Sequence, residues 1–332
     1  MCNRTSKVVL KFLFGFLVCQ FIGSNILPAQ VNSRIILESS GSPLINRSIS
    51  KALTAVLQEV NKIAAGSGNL ERIEEYCTAE GFKALTKLVD GTGFFSTIPE
   101  YHAPILETLT DKFEVRGIKV KVNMGDTEGD DIEELVFVLN SHLFIDDIHF
   151  AIEEHHYNRL MGEGRQLKDL LMRQKILDFL EEFRTAHNRK DIEYLEKAYS
   201  DQALIIVGKI LKKQKGGGDF LQSSTLDKDQ VKFIRLSKRE YLDRLRQVFK
   251  LNSFVSVTFE GLDVRIHSKY PDIYGIQVKQ RWRSSNYSDE GHLFVMMDFQ
   301  ELDNPIIHVR AWQPQPFSNG TVVGLGDFKI IN

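Results

Sequence analysis

Near the C-terminal end three side chains able to hold or move charge recur at two-residue steps: His308, Arg310 and Trp312. The run that carries them reads as a strand, so alternation puts all three on one face, with Ile307, Val309 and Ala311 on the other. If the polar face is concave, its expected neighbours are Tyr199, Trp282 and Asp298. An arginine beside aromatic rings would then suit a carboxylate or phosphate ligand. If that face is the outer one, Arg310 pairs across strands with Asp298, a contact worth about 0.2–1 kcal/mol, and Trp312 is partly exposed. The residue types are compatible with both arrangements.

A second group has metal-ligand types: His142, Asp146, Asp147, His149, Glu153, Glu154, His155 and His156. On an extended strand Asp147, His149, Glu153 and His155 have the parity opposite to Phe144, Ile148, Phe150 and Ile152. That spreads them along a solvated face, whereas a ligand set must converge, so no metal is expected. Zinc-type Cys/His spacing is missing from the sequence, and no cofactor is expected. Ser284-Ser285-Asn286 lacks the glycines of a nucleophile elbow. Gly216-Gly217-Gly218 is not followed by the Lys-Ser/Thr of a phosphate loop, and residues 212–229 read as a long solvated loop or hairpin tip. Phe254, Phe259, Phe294 and Phe299 fit a core better than a nucleic-acid stacking platform.

The elements that must position these residues follow from hydrophobic period. Ile49, Ala52, Leu53, Val56, Leu57, Val60 and Ile63 form a helical stripe, and Asn69 is placed to cap a second helix through Leu70, Ile73, Phe82, Leu85 and Leu88. Strand patterns follow around residues 115–122, 134–139 and 144–152, with residues 125–130 as a turn. A charged segment at 162–168 leads into a third helix marked by Leu170, Leu171, Ile176, Leu177, Leu180 and Phe183. Asp191 caps a shorter helix, and residues 203–207 form an apolar strand. Ser237 caps a helix through Tyr241, Leu242, Leu245 and Val248. Four strand-like runs close the pattern, 255–267, 273–283, 292–299 and 306–313, and residues 324–331 form a further strand or a tail. Helices followed by neighbouring strands, without a βαβ rhythm, predict α+β architecture with antiparallel sheet.

The chain of 332 residues is about two domains long, and Lys plus Arg (42) nearly balances Asp plus Glu (44), which gives no field for nucleic acid. The first 29 residues have the form of a signal peptide: Arg4, Lys7 and Lys11, an apolar run from Phe12 to Ile22, then Leu27-Pro28-Ala29, with cleavage expected after Ala29. The apolar run is about half the ~20 residues of a spanning helix, so no stable membrane span is expected. Val18 before Cys19 disfavours lipid anchoring there. Loss of the three basic residues leaves an exported, periplasmic or envelope protein with a net charge of about −5, and Cys77 as a lone, buried helix thiol.

Two segments carry a likeness. Residues 183–203, from Phe183-Arg184-Thr185-Ala186-His187-Asn188 through Asp191 to Tyr199-Ser200-Asp201-Gln202-Ala203, and Pro305-Ile306-Ile307-His308-Val309-Arg310-Ala311-Trp312 resemble the opening helices and final strand of the nuclear-transport-factor-2-like superfamily, which includes ketosteroid-isomerase-like and SnoaL-like proteins. The resemblance implies a cone fold: a strongly curved antiparallel sheet wrapped on helices, over residues 166–316, with a tail at 317–332. Residues 30–165 would form an N-terminal α+β domain with a similar element order, open to being a second copy. Relatives often carry an acid two residues before the final Trp, where this chain has Arg310.

The leading expectation is a non-catalytic exported module that binds a small anionic or apolar ligand, or an envelope protein, through the cone or the sheet face. The enzyme alternative is a lyase, isomerase or hydrolase with Asp298 or His308 as base and Tyr199 as donor. A third reading is an envelope scaffold, with homodimerisation through the sheet. Fold analogy underlies all three.

Overall fold

The computed structural model describes residues 32–38, 42–125, 131–153, 157, 160, 170–211 and 230–328. The expected signal peptide, Cys19, most of the 125–130 turn, His155 and His156, the 162–168 boundary segment and the 212–229 loop lie outside the described residues. Among the described residues no helix is long and apolar enough to cross a membrane.

Two α+β units follow one another, each with its own six-stranded sheet. The first contains β1 (Arg34–Glu38), α1 (Pro43–Ala64), a 3-10 turn (Leu70–Tyr76), α2 (Ala79–Thr92), β2 (Phe95–Ser96), β3 (Glu100–Glu107), β4 (Phe113–Lys121), β5 (Ile132–Leu139) and β6 (Ile145–Phe150). Its sheet order is β1-β3-β4-β5-β6, with β2 also on β4. Asn69 caps the 3-10 turn, not a helix reaching Leu88, and Thr78 caps α2 by accepting from the Gly81 N–H. The helix predicted as one piece therefore breaks in two, because each segment has its own capping side chain.

The second unit contains α3 (Leu170–Asn188), α4 (Ile192–Ala198), β7 (Tyr199–Leu211), β8 (Gln230–Leu236), α5 (Lys238–Leu251), β9 (Val255–Ile266), β10 (Ile273–Ser284), β11 (Ser288–Asp298) and β12 (Ile306–Gln313). Sheet order is β8-β7-β12-β11-β10-β9. Every pair is antiparallel except β7 with β12, so the expected antiparallel sheet holds with one parallel joint. The first sheet likewise has one parallel pair, β1 with β3.

One face of the second sheet, through Ile205, Val257, Phe259, Ile276, Val278, Leu293, Val295, Met297 and Ile307, packs on Ile176, Leu180 and Phe183 of α3 and Leu242, Leu245 and Phe249 of α5. Its other face, Ile273, Phe294, Met296, Val309 and Ala311, is covered by Val323, Leu325 and Phe328 of the tail. The Phe328 ring stacks on Phe294 at 5.4 Å. The tail segment is thus a lining for the back of the sheet, with a 3-10 turn at Leu325–Asp327.

The largest departure from the sequence reading is the face of β6 that alternation assigned to water. His149 is 4 % exposed there and sits under α3. Its neighbours are Asp147, Glu181 and Glu182, and Arg189 and Arg116 neutralise those carboxylates from either side. β6 and β9 are edge strands of their sheets, and α3 lies between them. The Phe150 N–H donates to Thr185 Oγ1 (2.9 Å), the Ile152 N–H to Glu181 Oε1 (2.9 Å) and the Val257 N–H to Asn188 Oδ1 (2.8 Å). Arg184 donates to the carbonyls of Val257 and Ala151 and to Glu133. One helix thereby satisfies backbone groups of both sheets, which would otherwise be buried without partners.

Candidate functional site

The concave side of the second sheet collects polar groups from six elements. His187 comes from the last turn of α3, on the apolar stripe that also carries Phe179 and Phe183. Asp191 caps α4 by accepting from the Tyr194 N–H, and this short helix delivers the chain to Tyr199 at the start of β7. Ser237 and Glu240 form a reciprocal capping box that fixes the start of α5, so Tyr241 falls on its buried side. Trp282 projects from β10, Asp289 lies opposite it on β11, and Arg310 and Trp312 project from β12.

These groups touch. The Tyr199 and Tyr241 rings meet edge to face at 5.6 Å, and the Arg310 guanidinium stands over the Tyr241 ring at 5.0 Å. His187 lies edge-on to Phe183 (4.8 Å), Trp282 (6.0 Å) and Phe249 (6.5 Å). Its Nδ1 is 2.7 Å from the Phe183 carbonyl, which can only accept, so Nδ1 carries the proton and Nε2 is left as a bare acceptor. Burial, with Arg310 adding its charge against the pull of that carbonyl, lowers the imidazole pKa to about 4. Burial, and then Tyr241, raises the Tyr199 phenol well above its ordinary value, and Arg310 opposes them. Burial also raises the Asp289 carboxyl, which accepts at 2.7 Å from the Tyr287 hydroxyl as partial compensation.

Three buried donor atoms here have no hydrogen-bond partner: Tyr199 Oη, Arg310 Nε and Trp312 Nε1. Among the described residues no carboxylate lies within ion-pair distance of Arg310, which is 7 % exposed. A guanidinium so far from water, over the Tyr241 ring and with the Asp289 carboxyl near but beyond ion-pair distance, is held at a cost unless an acceptor joins it.

The six residues singled out in the sequence divide. Tyr199, Trp282, Arg310 and Trp312 are brought together on the concave side. Asp298 and His308 are not: they face each other at 3.5 Å, half-exposed, and neither perturbs Tyr199. A β-bulge causes the split. Met296 pairs with Val309 and Met297 with Ile307, which leaves His308 as the extra residue and breaks the strand's parity. Ile307 therefore shares the concave face with Arg310, and the expected common face of His308, Arg310 and Trp312 is corrected to Arg310 and Trp312 alone. The Arg310–Asp298 pair is likewise absent. His187, Tyr241 and Asp289 were not chosen from sequence. The first two sit at core positions of helical stripes, where a polar residue is the available signal, and Asp289 lies between the strand-like runs 273–283 and 292–299.

The six-stranded curved sheet on three helices is the class of architecture that the resemblance implied. No family model matches the sequence, and no curated protein does. Among solved structures the chain is similar to an NTF2-like protein of unknown function from Pseudomonas putida KT2440 (12 % identity, 47 % of this chain and 95 % of that one, TM-score 0.31). It is also similar to Bd1075 of Bdellovibrio bacteriovorus (12 % identity, 65 % and 93 %, TM-score 0.32) and to naphthalene 1,2-dioxygenase with indole bound (8 % identity, 49 % and 88 %, TM-score 0.34).

Proposed function

We propose that the second unit is a non-catalytic receptor for a small molecule carrying a carboxylate or similar acceptor group, in a protein exported by its first 29 residues. The observation that carries this is the convergence of three unpaired buried donors, Tyr199 Oη, Arg310 Nε and Trp312 Nε1, on one aromatic-walled face. Donors without acceptors select a ligand rich in acceptors, and the single positive charge selects an anion. The aromatic rings of Tyr241, Trp282 and Trp312 supply the apolar wall that a small organic anion needs. Proton transfer is poorly served: His187 is a weak base with a pKa near 4, and Asp298 and His308 are spent on each other away from Arg310.

Thermal-shift titration at pH 7 against a panel of aliphatic and aromatic carboxylates tests the reading. At least one acid should raise the Tm of the wild-type chain. Arg310→Met fills much of the same volume without the charge, so it should leave the ligand-free stability within about 1 kcal/mol and abolish the shift. An equal shift in the Arg310→Met chain would refute the anion site.

A further inference from the structure

Between the two units a buried His149 and partly exposed Asp147 and Glu182 bring metal-ligand types together, although Asp147 and His149 were read as spread along a wet face. Nδ1 of His149, a carboxylate oxygen of Asp147 and one of Glu182 all lie within 4.8 Å of one another. Asp147 Oδ2 is 2.8 Å and Glu182 Oε1 3.3 Å from the same Nδ1. The other oxygens of these carboxylates are turned away to Arg189, at 2.7 Å for Glu182 Oε2 and 3.7 Å for Asp147 Oδ1. A single imidazole N–H can serve one of two facing oxygens, and the shortfall is visible: Glu182 Oε1 is a buried atom without a hydrogen-bond partner.

The far side of the ring is equally specific. His149 Nε2 is 3.1 Å from Glu181 Oε2, and Glu181 is itself held by Arg116. Nε2–H donates to Glu181, so an ion that displaces the Nδ1 proton would meet that nitrogen's lone pair between Asp147 and Glu182. This carboxylate–histidine relay is how proteins orient an imidazole for a metal. Around the ring the carboxylates of Glu114, Asp147, Glu181 and Glu182 face the guanidinium groups of Arg116 and Arg189. A cavity of about 820 Å³, lined by Asp147, His149 and Glu182 together with Asp178, Lys175 and Tyr194, provides the route in.

We propose that Asp147 Oδ2, His149 Nδ1 and Glu182 Oε1 bind a divalent first-row metal ion at the junction of the two units. One nitrogen and two carboxylate oxygens match zinc and its neighbours better than calcium, which prefers an all-oxygen shell. The ligands come from β6 and α3, so the ion ties the first sheet to the helix of the second unit.

The test uses the purified chain, stripped with chelator and titrated with zinc by isothermal calorimetry. The expected result is one equivalent bound, a rise in Tm, and an X-ray absorption spectrum of the zinc-loaded chain showing one imidazole and carboxylate oxygens. Glu182→Gln and, separately, Asp147→Asn keep side-chain size and should weaken binding at least 10-fold with unchanged circular dichroism. No zinc uptake by the wild-type chain would mean that the two carboxylates merely share a proton, and would overturn the proposal. A shell without imidazole, or one containing the Cys77 thiolate, would overturn it too, whether or not either variant folds.

Discussion

At the scale of single residues, the cone interior is governed by groups whose charge state is set by burial. His187 is the clearest, since it is 3 % exposed and its imidazole pKa is lowered to about 4. In the unfolded chain the same ring protonates near 6.5, so between these values the unfolded state binds the proton and the folded state does not. Stability must then fall as the pH drops from about 6.5 to 4, with an order of magnitude of about 3 kcal/mol from this one group. The charge facing it reinforces the sign, because Arg310 disfavours a second positive charge nearby. His187→Gln retains a donor for the Phe183 carbonyl and has no proton to take up. Urea unfolding at pH 6.5 and 4.5 should therefore show a smaller loss for His187→Gln than for the wild-type chain. Equal losses in the two chains would place the imidazole in water and remove it from the site.

At the scale of elements, close approach decides more than propensity does. Gly81 in the first turn of α2 is an example: a Cβ there would lie 2.1 Å from the Ile145 carbonyl oxygen, inside the backbone of β6. Gly81→Ala must push α2 off the strand and break the bond from the Thr78 N–H to Ile145 O (2.9 Å), so it should cost about 3 kcal/mol, read by chemical denaturation. A loss below about 0.5 kcal/mol would mean that helix and strand are not in contact. Sequence period found the elements whose apolar face is one-sided. The stripe of α1 and the capped α5 were legible because one face meets a core and the other water, and the long strands β9 to β12 because extended apolar-rich runs are separated by turns, although the back of β10 to β12 is itself covered by the tail. β1, β3 and β8 were missed. β3 carries Pro104 within it, and β1 is five residues beside the expected cleavage site. The bulge at His308 was invisible, because alternation assumes an unbroken register. The polar side of α3 was not legible either. Glu181, Arg184, Thr185 and Asn188 have the composition of a solvated face, yet all are nearly inaccessible. A pattern records which residues are polar, and only the fold shows that their partners come from a strand some thirty to seventy residues away.

At the scale of the whole molecule, α3 is expected to couple the unfolding of the two units. Its apolar side belongs to the second core and its polar side to the surface of the first unit, while the two hydrophobic cores are distinct clusters apart from Phe254, beside β9, which packs in the first. The contact is tight at Gly91, where a Cβ would lie 2.8 Å from the Arg189 Cα. Arg184 is the residue that reaches furthest, since it bonds Val257 in β9, Ala151 after β6 and Glu133 in β5. Its pair with Glu133 is nearly buried on both sides, so truncating one partner leaves a charge stranded, at about 3–5 kcal/mol. Arg184→Met should place that penalty on the junction, while Phe150 of the first cluster loses only the guanidinium over its ring. Calorimetry of the wild-type chain is then expected to give a single transition, and Arg184→Met to split it in two, the first sheet and the cone melting separately. Two well-separated transitions already in the wild-type chain would show that the junction carries little coupling, because a helix that completes both sheet edges cannot leave one without unfolding the other.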